Sequence, residues 1–161
     1  MKNLKWILPL VALAVFLGGC PYGSDVPIDQ PSNKINEQVL GKWEAKSSSD
    51  ETYNITKKDA NTYKIEKKGS SSSTPTVYYA FASTVGTDTY LNLYEENADP
   101  KVYYLYKLTL NSSATKITLS EVTENIDEKF KTSAELKAFI EKYKGLSFFF
   151  SKDETVLIKA N

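Results

Sequence analysis

From Val39 onward, apolar and polar residues alternate in short runs broken by Gly, Pro, Asn, Asp or Ser. In an extended chain successive side chains point to opposite faces. These runs therefore predict strands at 40–46, 51–57, 61–68, 77–84, 89–95, 102–110 and 115–122. Turn-forming clusters at 47–50, 58–61, 69–75, 86–88, 97–100 and 111–114 separate them. The GSSSSTP run at 69–75 predicts a long exposed hairpin loop. Tyr53 with Ile55, Tyr63 with Ile65, Leu91 with Leu93 and Ile117 with Leu119 each share a face opposite polar neighbours. Val102, Tyr104, Tyr106, Leu108 and Leu110 line up in the same way. Such alternation belongs to antiparallel sheet with one face on a core and one on water.

One segment changes period. Leu136, Phe139, Ile140 and Tyr143 fall at i, i+3, i+4 and i+7, a single apolar helical stripe. Thr132 and Glu135 are spaced as a capping box, and Gly145 is placed to end the helix. Residues 146–150 and 155–159 predict two last strands. The fold class is mainly β, an antiparallel meander with one amphipathic helix near the C-terminus.

The first twenty residues follow a different pattern. Lys2 and Lys5 precede an apolar run from Trp6 to Leu17, interrupted by Pro9 and followed by Gly18, Gly19 and Cys20. Twelve apolar residues fall short of the roughly 20 that span a bilayer as a helix. A positive start, a short apolar run and small residues describe a secretory signal peptide over 1–19. Leu17-Gly18-Gly19-Cys20 resembles the lipobox of bacterial lipoprotein signal peptides. That resemblance implies a diacylglyceryl group on the Cys20 sulfur, cleavage before Cys20 and acylation of the new amino terminus. The membrane is then a partner through the lipid. Pro21-Tyr22 lacks the aspartate that resembles an inner-membrane retention signal, which implies the outer membrane of a Gram-negative envelope and leaves the leaflet open. The Pro-rich stretch that follows makes 20–37 a lipidated N-terminus and tether before a β domain at 38–161. Val26, Ile28 and Ile35 offer an alternative, an irregular arm packed along that domain.

Without residues 1–19 the chain has 142 residues and 18 lysines against 20 acidic groups. A surface near −2 argues against nucleic acid as a partner. All basic residues are lysine, and histidine is absent. Cys20 is the only cysteine, so His- or Cys-based dyads and imidazole or thiolate metal sites cannot be assembled. The missing arginine removes the bidentate clamp for phosphate or carboxylate. A glycosidase-type carboxylate pair has candidates in Glu44, Glu66, Glu95, Glu96 and Glu121, but their neighbours put them on outward faces or in turns. Glu95-Glu96-Asn97-Ala98-Asp99 supplies calcium-type oxygens and reads more simply as a solvated turn. No catalytic activity, metal or cofactor is expected.

Seven of the eleven tyrosines, Tyr78, Tyr79, Tyr90, Tyr94, Tyr103, Tyr104 and Tyr106, crowd three central strands. They suit both a half-buried sheet and the lining of a pocket. Leu40-Gly41-Lys42-Trp43 carries the Gly-x-Trp of lipocalin-like proteins, and Thr87-Asp88-Thr89-Tyr90 is similar to that family's second motif. The resemblance implies an eight-stranded up-and-down barrel or half-barrel over 38–161, with the tryptophan closing one end and a late helix. It makes Trp43, Tyr104 and Tyr106 candidate pocket residues for a small apolar or carbohydrate ligand. The layout is also similar to small lipoproteins of Bacteroidota. The departures are the missing arginine that stacks on the tryptophan, two strands after the helix in place of one, and no disulfide. Two uses follow: a ligand-binding barrel with a cavity of about 300 Å³ or more, or a filled domain that docks protein partners. Palmitate labelling in cells is expected to mark the wild-type chain and not Cys20→Ala; equal incorporation would remove the lipid handle.

Overall fold

The computed structural model describes residues 21–69, 73–123 and 125–160; residues 1–19, expected as a signal peptide, and Cys20 lie outside them. After a two-residue strand β1 (Gly23–Ser24) and a 3-10 turn (Glu37–Val39), eight longer strands follow. They are β2 (Gly41–Ala45), β3 (Ser48–Lys57), β4 (Thr62–Lys68), β5 (Thr76–Val85), β6 (Asp88–Glu95), β7 (Tyr103–Leu110), β8 (Lys116–Glu121) and β9 (Thr155–Lys159). The helix α1 (Ser133–Tyr143) lies between β8 and β9. Each strand from β2 to β9 pairs antiparallel with the next, and β9 also pairs with β2. The meander is thus a closed eight-stranded barrel.

Seven of the nine expected strands coincide with β2–β8 within a few residues, and 155–159 with β9. The strand expected at 146–150 does not form. That segment is tight turns, with Leu146 N donating to Tyr143 O at 2.9 Å and Phe149 N to Leu146 O at 3.0 Å. It makes one isolated bridge, Phe150 with Val122. LSFFF is apolar without alternating, and Phe149 and Phe150 serve a second core rather than a sheet face. One strand, not two, therefore follows the helix.

The barrel has two cores because β5, β6 and β7 are covered on both faces. Inside lie Val39, Trp43, Ile55, Tyr63, Leu91, Ile117 and Leu157. Outside, Tyr90 and Leu105 pack with Leu136 and Ile140 of α1, Phe149, and Tyr22 and Ile28. Burying each such side chain contributes roughly 1.5–3 kcal/mol. The helix starts at the expected capping box, Thr132 Oγ1 accepting from Glu135 N and the glutamate from Thr132 N.

The stretch expected as a tether instead packs along the barrel as an arm. Gly23 and Ser24 pair with Tyr104 and Tyr103. Ile28 is fully buried, and its N–H donates to Asn92 Oδ1 at 2.7 Å. Asn33 Nδ2 reaches Ala82 O at 3.2 Å, and Ile35 N donates to Ala60 O at 3.1 Å. The arm thus runs the length of the barrel before entering β2. Three branched apolar residues, Val26, Ile28 and Ile35, give it enough to bury despite its prolines.

Asn92 fixes that arm. Its amide donates to Phe81 O at 3.2 Å and Ser83 Oγ at 2.9 Å while its oxygen accepts from Ile28, all within the buried outer face of β6. Asn92→Ala leaves the Ile28 N–H without that acceptor, a penalty of about 1–3 kcal/mol for each buried group so stranded. Urea unfolding is expected to register about 3 kcal/mol lost; a change well under about 1 kcal/mol would mean the arm is held by its apolar residues alone.

Candidate functional site

An eight-stranded barrel is just wide enough to be filled by its own side chains or to hold one small ligand. Here the filling stops partway. A cavity of about 390 Å³ opens at one end. Its floor is Val39, Ile55, Tyr63, Leu91, Ile117 and Leu157, and its walls carry Ile65, Leu93, Leu108 and Leu119. At the mouth, the outermost inward residue of each strand from β3 to β9 is polar: Glu51, Lys67, Tyr78, Glu95, Tyr104, Glu121 and Thr155. Tyr53 and Tyr106 lie one inward step deeper.

The opposite end is closed. The Trp43 ring is fully buried there, and its Nε1 donates to Val39 O at 2.9 Å. Tyr63 Oη accepts from Asn36 N at 2.6 Å, tying the arm across the same end. Gly41 enters β2 with φ of +126°, a conformation side chains rarely adopt. A Cβ there would only touch the Lys159 side chain, at 3.4 Å, so the backbone conformation is what calls for glycine. Lys159 Nζ sits 5.2 Å from the Trp43 ring centroid. A lysine from the last strand thus lies over the buried indole.

Charge at the mouth is organised around tyrosines. Tyr53 Oη donates to the Glu51 carboxylate, which Lys67 Nζ approaches at 3.3 Å. Tyr106 Oη donates to Glu121 Oε2 at 3.0 Å. Burial, and then the adjacent carboxylate, push the Tyr53 and Tyr106 hydroxyls above the ordinary tyrosine range. Both stay neutral donors. Three carboxylates against one ammonium give this rim a negative balance, with aromatic faces between them. It can hold a ligand's polar end by hydrogen bonds while the floor takes an apolar body.

Of the expected pocket residues, Tyr104 and Tyr106 line the cavity. Trp43 does not; it packs beneath Val39 and Leu157 in the closed-end core. Among the carboxylate candidates, Glu95 and Glu121 face the mouth, a correction to their expected outward placing. Glu44 and Glu66 lie along the outer wall, Glu66 paired with Lys64 at 2.8 Å, and Glu96 bonds Tyr79. The calcium-type loop splits accordingly, and among the described residues no three metal-ligating side chains converge. Glu51 and Lys67 were missed. The alternation held their signal, since 51–53–55 and 63–65–67 continue the inward registers.

The fold and site define a closed eight-stranded antiparallel barrel with a single-mouthed cavity. No family model, curated protein or solved structure matches this chain.

The raised tyrosines make stability pH-dependent. An unfolded tyrosine loses its proton near pH 10, whereas Tyr53, Tyr90 and Tyr106 keep theirs while folded. Above that pH the unfolded state binds fewer protons, so this contribution is complete below about 10 and is lost as pH rises beyond it. Urea unfolding across about pH 8–11.5 should show the decline, less steep in Tyr106→Phe than in wild type. Parallel slopes would show that the Tyr106 proton is not held.

Proposed function

We propose that this chain is a lipid-anchored envelope protein without catalytic activity, whose barrel binds a small ligand with an apolar body and a hydrogen-bonding polar end. The observation that carries the reading is the one-mouthed cavity of about 390 Å³, apolar below and polar at the rim. Its size falls within the roughly 300–1,000 Å³ of small-molecule sites. Between the two ligand classes the floor favours the apolar one. A sugar seated against Ile55, Leu91 and Ile117 would leave hydroxyls unpaired, at about 1–3 kcal/mol for each buried group.

A domain built only to dock protein partners has no use for a hollow interior, so the cavity also favours ligand binding over that alternative. The rim carboxylates act here as orienting groups: two of the three already accept from tyrosine hydroxyls. Anchoring rests on the lipobox resemblance at Leu17–Cys20, and the Gly-x-Trp resemblance agrees with a barrel closed by Trp43.

Titration with N-phenyl-1-naphthylamine, a neutral dye that brightens in apolar sites, is expected to give saturable one-to-one binding. Leu93→Trp places an indole in the cavity wall and should weaken the dye at least tenfold, with Leu119→Phe as a milder filling that keeps the fold. Unaltered binding in both folded variants would place the dye elsewhere and sink the reading.

A further inference from the structure

Three large apolar side chains are well exposed among the described residues: Leu146 at 42%, Phe148 at 52% and Ile158 at 40%. Two of them share the short turn that follows α1, while Phe149 between them and the barrel is fully buried. The turn is firmly held. Thr123 N donates to Phe149 O at 3.2 Å, and Thr123 Oγ1 to Phe148 O at 2.9 Å. Thr123 is in turn the bridge partner of Pro21, and Tyr22 N donates to Val122 O at 3.0 Å. Pro21 also lines the cavity.

Three features therefore meet at one end of the barrel: the cavity mouth, the exposed apolar turn, and the point where the chain enters the domain. What precedes Pro21 is the apolar run 6–17 and then Cys20. A trans peptide sets neighbouring Cα atoms 3.8 Å apart, and since the arm packs from Tyr22 onward no spacer intervenes. Whatever bilayer takes up that chain end lies within reach of Phe148.

We propose that this end is a membrane-docking face: Leu146 and Phe148 enter the interfacial layer of the bilayer beside the anchored N-terminus, and the cavity takes its ligand from the membrane. The proposal rests on the anchored, ligand-binding reading and adds its orientation and the source of its ligand. The occupant is lipid because the chain that leaves the domain here is itself apolar or acylated, with the same solvent preference as the exposed turn. The exposed charged groups in the flanking segments, Asp127, Glu128, Lys129, Lys152, Asp153 and Glu154, are acidic on balance, as is the mouth itself. Apolar contact rather than attraction to anionic lipid sets the docking, so a zwitterionic bilayer suffices.

The chain processed and acylated at Cys20, purified from the membranes of expressing cells, is reconstituted into phosphatidylcholine vesicles with plain or brominated acyl chains. Bromine quenches indole emission only within the bilayer, and Trp43, buried in the barrel, contributes equally to every variant. Phe148→Trp reports the docking turn and Ala60→Trp the β3–β4 turn at the closed end; Leu146→Trp repeats the first reading should Phe148→Trp not fold. The added emission is expected to fall by at least half in Phe148→Trp or Leu146→Trp, and by less than a tenth in Ala60→Trp. Protein that stays with the vesicles yet shows equal or no quenching at both ends overturns the docking face and leaves the anchor standing. Failure to stay with the vesicles overturns both, whereas the dye titration in solution decides the cavity separately.

Discussion

Closure of the ring by β9 is the constraint on which the rest of the structure depends. Its residues hydrogen-bond on one side to β2, Trp43 facing Lys159, and on the other to β8, Thr155 facing Leu119. Without that double pairing the meander is an open sheet with two long edges, an arrangement that invites pairing with other chains. With it, every strand gains an inside and an outside. The inside becomes a tube whose width is fixed by strand number, so its contents depend only on which side chains point inward. Lys159, carried by the closing strand, reaches both the Trp43 ring and Gln38 O at 3.4 Å. Closure and the plugging of one end are thus served by the same five residues.

The tube is unevenly filled for a simple reason of residue type. At the closed end Trp43, Tyr63 and Val39 are bulky and buried, the indole donating to Val39 O and the Tyr63 hydroxyl accepting from Asn36 N of the arm. At the mouth the inward positions are tyrosines, glutamates and a lysine. Such side chains lay their stems along the wall and keep their heads at water, so they frame a space rather than fill it. The outer core compensates for what the hollow interior does not supply. Burying the outer face of β5–β7 under α1 and the arm brings Tyr90, Leu105, Phe149 and Ile28 out of water, on strands that an unadorned barrel would leave wet.

Much of this was legible in the chain. Alternation located eight strands and the capping box located α1, because both are local patterns tied to the period of the backbone. Where burial was not periodic, the pattern misled. LSFFF at 146–150 looked like a strand because it is apolar, yet Phe149 and Phe150 are drawn into a core formed by distant elements while Phe148 stays exposed. The arm looked like a tether because prolines and polar residues hide three apolar anchors, and its decisive partner, Asn92, stands 64 positions away. For the site, the inward registers named Tyr104 and Tyr106, and one further step along the same registers reaches Glu51, Lys67, Glu95 and Glu121. Charge made Glu95 and Glu121 look like surface and drew no attention to Glu51 and Lys67; only the mouth of a closed barrel lets a charged side chain point inward and stay wet. Trp43 erred the other way, since a ring that seals one end cannot also line the space above it.

The two ends of the molecule therefore differ in kind. One is sealed by a buried indole, a lysine and the last turn of the arm; the other gathers the opening, the incoming chain and an exposed apolar turn. This division follows from the path of the arm. Had residues 21–37 been a free spacer, the domain could tumble at its anchor and the direction of the mouth would carry no meaning. Because Tyr22, Ser24 and Ile28 are buried along the barrel wall, the chain can leave only at the mouth. An anchor placed there, as proposed, gives the cavity a fixed outlook, and a ligand with an apolar body would then pass from lipid to floor with little exposure to water. The cost of carrying an apolar molecule through solvent grows with the area exposed, so a mouth held at the source lowers that cost by geometry alone.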